Sequence, residues 1–270
     1  MSDMRLENAT VVKHEPVRGG YRLLVLKCRA IADATKPGQF VHMRIPSQEV
    51  LVLRRPFSIF KVHEDTISVL YKKVGRGTAA MDALKAGDNI SLLGPLGKGF
   101  PVGGPELFPI LVAGGYGIAA LYLLAKQFPA RGIIFVGGKT ADDILCTEDF
   151  TALGWSVRVA TEDGSIGERG LVTELLTRWM DKESAGASIE LYACGPDGML
   201  RAVSNLARGC GLRAWLSMDK HMGCGVGACL ACVCRIRYDG GQVRMGRVCK
   251  DGPVFECRQI AWDNEITTKT

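Results

Sequence analysis

Several things are missing from this sequence, and each absence narrows what the chain can do. Its opening, MSDMRLENATVVKHEP, lacks the apolar core that a secretory leader needs. With no such leader, its 10 cysteines favour free thiols and metal ligands over disulfides and point to the cytoplasm. There is no basic block and no interleaving of aromatic with basic residues. The 34 Lys and Arg are mixed with 28 Asp and Glu, giving a net charge of +6. That argues against a nucleic-acid partner and suits phosphate-bearing cofactors. Internal repeats, low complexity and long charge runs are absent. So is a convincing acid–base dyad.

Long uncharged runs are scarce too. One, LFPILVAGGYGIAALYLLA at 107–125, is about long enough to cross a bilayer. Pro109, Gly114, Gly115 and Gly117 break it. It reads better as a buried strand at 110–113, a glycine turn and a helix at 118–128.

The 270 residues, 47% of them hydrophobic, are enough for two or three domains. Residues 1–102 carry short apolar or alternating runs (YRLLVLKC, QFVHMRI, FSIFKV, TISVLYKKV, NISLLGPLG) separated by Gly, Pro and Asp, the pattern of a β-barrel or sandwich. Pro101, Gly103, Gly104 and Pro105 make a linker. In 106–213, apolar strands alternate with helical stretches such as IAALYLLAKQF, ILCTEDFTAL, GLVTELLTRWM and GMLRAVSNLARGCG. This predicts an α/β domain with a parallel sheet covered on both faces. Residues 214–270 hold a cysteine loop and little helical signal.

That loop, HMGCGVGACLACVC, has the spacing Cys224-x4-Cys229-x2-Cys232, which matches the first three ligands of a plant-type 2Fe-2S site. The fourth is expected from VCRIRYDGGQVRMGRVC, a hairpin turning at Asp239-Gly240-Gly241. If Tyr238 pairs with Gln242, Cys232 falls opposite Val248, and Cys249 lies beside the loop as the fourth ligand. The small residues between the thiols let the backbone approach a cluster and point N–H groups at sulfur. Four thiolates also suit zinc, although only one C-x2-C pair is present. A Rieske centre needs two histidines, and His221 is the only one near. Cys234 and Cys257 read as small packed residues.

Other stretches suggest nucleotides. RRPFSI offers a guanidinium for a phosphate and a hydroxyl for a hydrogen bond. In VGRGTAAM, Gly75, Gly77 and Thr78 open a helix that suits a pyrophosphate, or is an ordinary cap. AGGYGIAAL is a strand–glycine–helix junction, with Ala120 where a full G-x-G-x-x-G fingerprint has its third glycine. TEDGS and YACGPDGML each end a strand. Glu162 or Asp163 suits a ribose, or the turn is an ordinary solvated one, and Cys194 stands where open α/β sheets bind ligands, or is a small packed residue.

Taken in order, Arg55-Pro56-Phe57-Ser58, Gly77-Thr78, Gly114-Gly115-x-Gly117 and Cys194-Gly195-Pro196 resemble the ferredoxin–NAD(P) reductase superfamily over nearly the whole chain. The C-terminal cysteines, closed by VCKDGPVF, narrow the resemblance to the electron-transfer subunits of type B dihydroorotate dehydrogenases. The resemblance implies an antiparallel FAD-binding barrel, an NAD-binding α/β domain and a small 2Fe-2S domain. It implies a separate FMN-containing catalytic subunit that oxidises dihydroorotate, a heterotetramer, and electron flow through the cluster and FAD to NAD+ in pyrimidine biosynthesis. Arg55, Pro56, Phe57 and Ser58 would hold FAD, Leu70, Tyr71 and Lys72 would line it, and Gly77 and Thr78 would meet its pyrophosphate. Gly114, Gly115 and Gly117 would approach NAD, with Glu162 or Asp163 at its ribose and Cys194, the one catalytic position, near its nicotinamide. Cys224, Cys229, Cys232 and Cys249 would carry the cluster. Two departures touch the NAD site: many relatives have proline at Ala120 and a third glycine at Tyr116. The same layout resembles small subunits of NADH-dependent ferredoxin:NADP oxidoreductases and sulfide dehydrogenases. A metal-binding regulatory module without turnover is the alternative of another class.

Overall fold

The computed structural model describes residues 4–45, 53–129, 131–183 and 188–262. Its first part is a closed antiparallel barrel. The strands are β1 (Arg5–Pro16), β2 (Tyr21–Lys27), β3 (Phe40–Arg44), β4 (Arg55–His63), β5 (Thr66–Lys72) and β6 (Asn89–Leu96), in the order β1-β2-β5-β4-β3-β6. Short helices α1 (Arg29–Ala34) and α2 (Arg76–Ala80) interrupt them. Closure leaves no free edge, and alternate residues such as Val41, Met43, Ile59, Val69 and Leu92 fill the interior. The sequence left barrel and sandwich open for this region; it is a barrel.

The central domain alternates strand and helix: β7 (Phe108–Gly114), α3 (Ile118–Gln127), β8 (Ile133–Gly138), α4 (Thr147–Ala152), β9 (Ser156–Thr161), β10 (Glu168–Arg169), α5 (Val172–Glu183), β11 (Ile189–Cys194), α6 (Asp197–Gly209) and β12 (Arg213–Ser217). The cluster region adds β13 (Val233–Arg237), β14 (Val243–Arg247), α7 (Val248–Asp251) and β15 (Val254–Glu256). The sheet order is β10-β9-β8-β7-β11-β12-β15, parallel except for β15. From β7 the chain first winds out through β8 and β9, then returns to β11 on the other side. The carboxyl ends of β7 and β11 therefore flank the switch point, where open α/β sheets form their ligand crevice.

The uncharged run at 107–125 is explained by this packing. Its strand is buried in the sheet centre, and seven of the ten residues of α3 are buried, because the helix is wedged between sheet and barrel strand β4. No helix among the described residues is long and apolar enough to cross a membrane. By contrast, α6 is amphipathic and buries Leu200, Val203, Ser204 and Ala207, the spacing of one helix face. One expected helix is shorter than its sequence suggests. In ILCTEDFTAL the helix starts only at Thr147, because Ile144 and Leu145 are buried in the domain core and Cys146 turns the chain at φ 52°.

Barrel and sheet are latched on one side. Lys61 pairs with Asp149 at 2.6 Å, and Lys72 pairs with Asp143 at 3.0 Å. The Tyr21 hydroxyl donates to Asp143 at 2.7 Å. Burial works against charge on Asp143, but the hydrogen bonds from Tyr21 and Lys72 win and hold it below the usual carboxylate range. The linker is anchored too, Gly103 N–H donating to the Tyr192 hydroxyl at 3.1 Å.

Candidate functional site

Two large cavities lie side by side between barrel and sheet. The barrel-side cavity, about 890 Å³, is lined by residues 55–58 of β4, by Leu70, Tyr71 and Lys72 of β5, and by Gly77 and Thr78 of α2. All nine residues expected around FAD are thus on one wall. The Arg55 guanidinium lies over Gly77, where an added Cβ would stand 3.2 Å from Nε. Cation and bare backbone therefore converge where a phosphate group could sit. Arg54, its neighbour, turns away and ties β3 to β6, donating to the His42 carbonyl at 3.3 Å, the Ser91 carbonyl at 2.7 Å and the Ser91 hydroxyl at 2.9 Å. The Thr78 hydroxyl is used locally, accepting from Val74 N–H at 2.9 Å and Gly75 N–H at 3.1 Å. What it braces is the loop leading into α2.

The sheet-side cavity, about 940 Å³, opens at the switch point. Gly114, Gly115, Gly117, Glu162 and Cys194 line it. Asp163 does not; its carboxylate closes a turn, accepting from Ser165 N–H at 2.9 Å and from the Ser165 hydroxyl at 2.6 Å. Burial pushes the Cys194 thiol up to about 12, with Ser217 opposing through a hydrogen bond, so the thiol is neutral near pH 7.

The two cavities share a wall. Lys72, Tyr116, Gly117, Cys194 and Asp219 line both. Tyr116 donates its hydroxyl to Asp219 at 3.3 Å. Burial raises Asp219 above the ordinary carboxylate range, against the pull of Tyr116 and His221. Tyr116 occupies the one position where the sequence departs most from the expected glycine pattern, and here its ring borders both chambers. Asp219 escaped the sequence reading. A polar residue just beyond the carboxyl end of β12 was the available signal.

The cysteine loop forms the far wall of the barrel-side cavity, through Met222, Gly223 and Ala231. Cys224 and Cys232 therefore each adjoin a residue facing that cavity. The hairpin has the expected register: Tyr238 N–H meets the Gln242 carbonyl at 2.9 Å, and Val248 N–H meets the Cys232 carbonyl at 3.0 Å. Cys249 N–H then points at Cys232 Sγ, 3.4 Å away. Cys224 Sγ accepts from Val226 N–H at 3.4 Å, Ala228 N–H at 3.3 Å and Cys229 N–H at 3.4 Å. Cys229 Sγ accepts from Cys224 N–H at 3.4 Å. Burial opposes charge on Cys224, yet these donors pull it down to about 6. Cys249 is pushed up to about 12 by burial and by Cys232 beside it.

This donor set fits an iron–sulfur cluster. Thiols packed this closely raise one another's cost of ionisation, which metal cations remove, while the converging amides stabilise charged sulfur. Cys257 is buried in the core and Cys234 is partly buried against it.

Behind the loop lies His42, fully buried on β3. Neither ring nitrogen has a hydrogen-bond partner. Burial pushes its pKa down to about 4, leaving a neutral ring near pH 7.

Residues 219–261 match the family model described as the iron-sulfur cluster binding domain of dihydroorotate dehydrogenase B. The chain is 36% identical over 264 residues to the dihydroorotate dehydrogenase B (NAD(+)) electron transfer subunit of Geobacillus sp. (strain WCH70), covering 95% of this chain and 99% of that one. It is 38% identical over 265 residues to the subunit of the same description from Geobacillus thermodenitrificans (strain NG80-2), covering 94% and 98%. Among solved structures it matches a chain of an NADH-dependent reduced ferredoxin–NADP oxidoreductase studied for flavin-based electron bifurcation. There the TM-score is 0.81 at 26% identity, covering 96% of this chain and 91% of that one.

Proposed function

Since the chain belongs to the family of dihydroorotate dehydrogenase B electron-transfer subunits, we propose that it links a dihydroorotate-oxidising, FMN-containing partner to NAD+ in pyrimidine biosynthesis. It does so as one half of a cytoplasmic heterotetramer. The observation that carries the reading is contiguity: one wall divides the two cavities, and the cysteine loop closes the other side of the barrel-side cavity. When bound, a 2Fe-2S cluster supplies single-electron relay, and FAD supplies exchange between single electrons and the hydride of NAD(H).

The residues of this chain bind and orient. Arg55 neutralises phosphate charge, with Gly77 giving it room. Pro56, Phe57, Ser58, Leu70, Tyr71 and Lys72 shape the flavin chamber, and Thr78 braces its phosphate end. Gly114, Gly115 and Gly117 let NAD approach the strand ends. Glu162 accepts from its ribose and Cys194 packs at its nicotinamide. Cys224, Cys229, Cys232 and Cys249 hold the cluster, with the loop amides setting its electrostatics.

The 26% likeness to the ferredoxin–NADP oxidoreductase chain reflects the same arrangement of parts. The 36–38% identity over nearly full length, with the matched cluster domain, favours the dihydroorotate enzyme. A regulatory module without turnover has no use for two adjoining cofactor-sized cavities.

The test is an anaerobic visible spectrum with metal and flavin assays, then mixing with the dihydroorotate-oxidising partner. About two irons, two sulfides and one FAD per chain are expected, with dihydroorotate-dependent NAD+ reduction only when both subunits are present. Zinc without flavin, or a cluster left oxidised by dihydroorotate and partner, would overturn the reading.

A further inference from the structure

His42 lines neither cavity, yet it stands between the wall of the barrel-side cavity and the cysteine loop. On β3 it alternates with Val41 and Met43, which fill the barrel interior, so its ring leaves the barrel on the outer face. There the ring presses on the loop. A Cβ added at Gly225 would stand 2.6 Å from Nδ1 and 3.0 Å from Cγ, and Gly225 directly follows Cys224. On the barrel side, His42 pairs in register with Pro56, and Phe40 precedes it by two residues on the same face. Pro56 and Phe40 both line the barrel-side cavity. The imidazole is therefore sandwiched between the wall of one cofactor site and the first ligand of another.

Its two nitrogens are the anomaly. The side chain is 0% exposed, and both Nδ1 and Nε2 are unpartnered. Buried polar groups are almost always satisfied, and leaving one unpaired is costly. An apolar residue would fill the same space without that cost. The Cys224 main chain faces the ring closely enough to oppose the fall in its pKa, although no contact of full hydrogen-bond geometry joins them.

Resting on the cofactor reading above, we propose that His42 is a positioning residue for the cluster, donating its ring N–H to the Cys224 carbonyl in the metal-loaded protein. This bond pins the peptide from which the following amides, Val226, Ala228 and Cys229, reach back to Cys224 Sγ. Donors aimed at a ligand sulfur favour the more negative, reduced cluster. Loosening them makes the cluster harder to reduce.

The experiment compares the full-length chain with H42L, H42M and H42N, measuring iron, sulfide and FAD content and the cluster's midpoint potential by EPR-monitored redox titration. H42L is expected to keep FAD and cluster while its equilibrium constant for reduction falls about tenfold, the scale of one hydrogen bond, or about 59 mV for one electron. H42M makes the same apolar test with an unbranched side chain if H42L does not fold. H42N places an amide nitrogen near the position of Nδ1 and is expected to restore most of the potential. An unchanged potential in a fully loaded apolar variant overturns the proposal. So does an H42N potential as low as that of the apolar variant, which would mean that only ring volume matters. A parent chain without iron would overturn the cofactor reading instead.

Discussion

At the carboxyl end of β7, an added Cβ on Gly114 would press on Pro196 and Met199, and one on Gly117 would run into the Cys194 carbonyl. In the cysteine loop, Gly225 and Gly227 hold φ at +73° and +87°, and added Cβ atoms would press on His42 and Lys250. Both loops are rich in glycine, for different reasons. The first brings two strand ends and a helix close enough that a nucleotide can lie across bare backbone. The second needs left-handed turns so that amides point inward at sulfur. Gly114 and Gly117 are needed for space, whereas Gly225 and Gly227 are needed for left-handed conformation as well as space.

Removing a ligand should separate the two most sharply. Cys249→Ser takes away the thiol that the hairpin register delivers to Cys232. The expected outcome is loss of nearly all iron and sulfide, and of NAD+ reduction driven by the partner. NADH-dependent dye reduction through the flavin should survive, because both cavities are intact. Iron and sulfide assays beside a diaphorase assay check it; loss of both activities together would mean that the loop also holds up the flavin chamber.

Gly117→Val is the reciprocal change. Its φ is ordinary at −58°, so its effect is one of space alone. The side chain must displace the Cys194 carbonyl or the start of α3, and overpacking of this kind costs about 1–3 kcal/mol. KM for NADH should rise by roughly ten- to a hundredfold, with iron content unchanged; because Gly117 also lines the barrel-side cavity, FAD content is assayed alongside. Titration with NADH under anaerobic conditions gives the answer.

Gly225→Ala tests conformation in the other loop. A left-handed L-residue costs roughly 1–2 kcal/mol, and here the methyl also meets the buried His42 ring. The cluster should form but be lost to a chelator several-fold faster than in the parent, while KM for NADH stays the same. If chelator sensitivity is unaltered, the loop is not held by its backbone geometry.

These contrasts also show what the sequence could express. The Cys224, Cys229 and Cys232 spacing and the glycine turn at 240–241 are local, so register arithmetic reached Cys249. Arg55 and Gly77 stand in short motifs and Tyr71 came only with the family resemblance; the barrel brings all three to one cavity. His42 was not, since on a β-strand it looks like any alternating residue; only the packing of the loop onto the barrel gives it a role. The shared wall of Tyr116 and Asp219 joins residues 103 positions apart, with no local pattern to mark them. The late strand β15 returns to the central sheet on only three residues, too few to carry a periodicity.

The acidic turn after β9 gives the smallest effect. TEDGS offered two carboxylates, and the structure separates them. Glu162 lines the sheet-side cavity, and Asp163 is occupied by Ser165. A ribose 2′-phosphate would be repelled by Glu162, partly offset by Lys139 on the same cavity wall. Glu162→Gln should therefore raise kcat/KM for NADPH relative to NADH by about two- to fivefold, the worth of one solvated charge contact. The change should shrink in high salt, because the carboxylate is exposed to solvent. Asp163→Asn keeps the cavity charge and loosens only the turn, so the NADPH-to-NADH ratio should stay where it was. If instead Asp163→Asn shifted the ratio and Glu162→Gln did not, the ribose would belong to the turn rather than to the cavity wall, and the role given to Glu162 would pass to its neighbour.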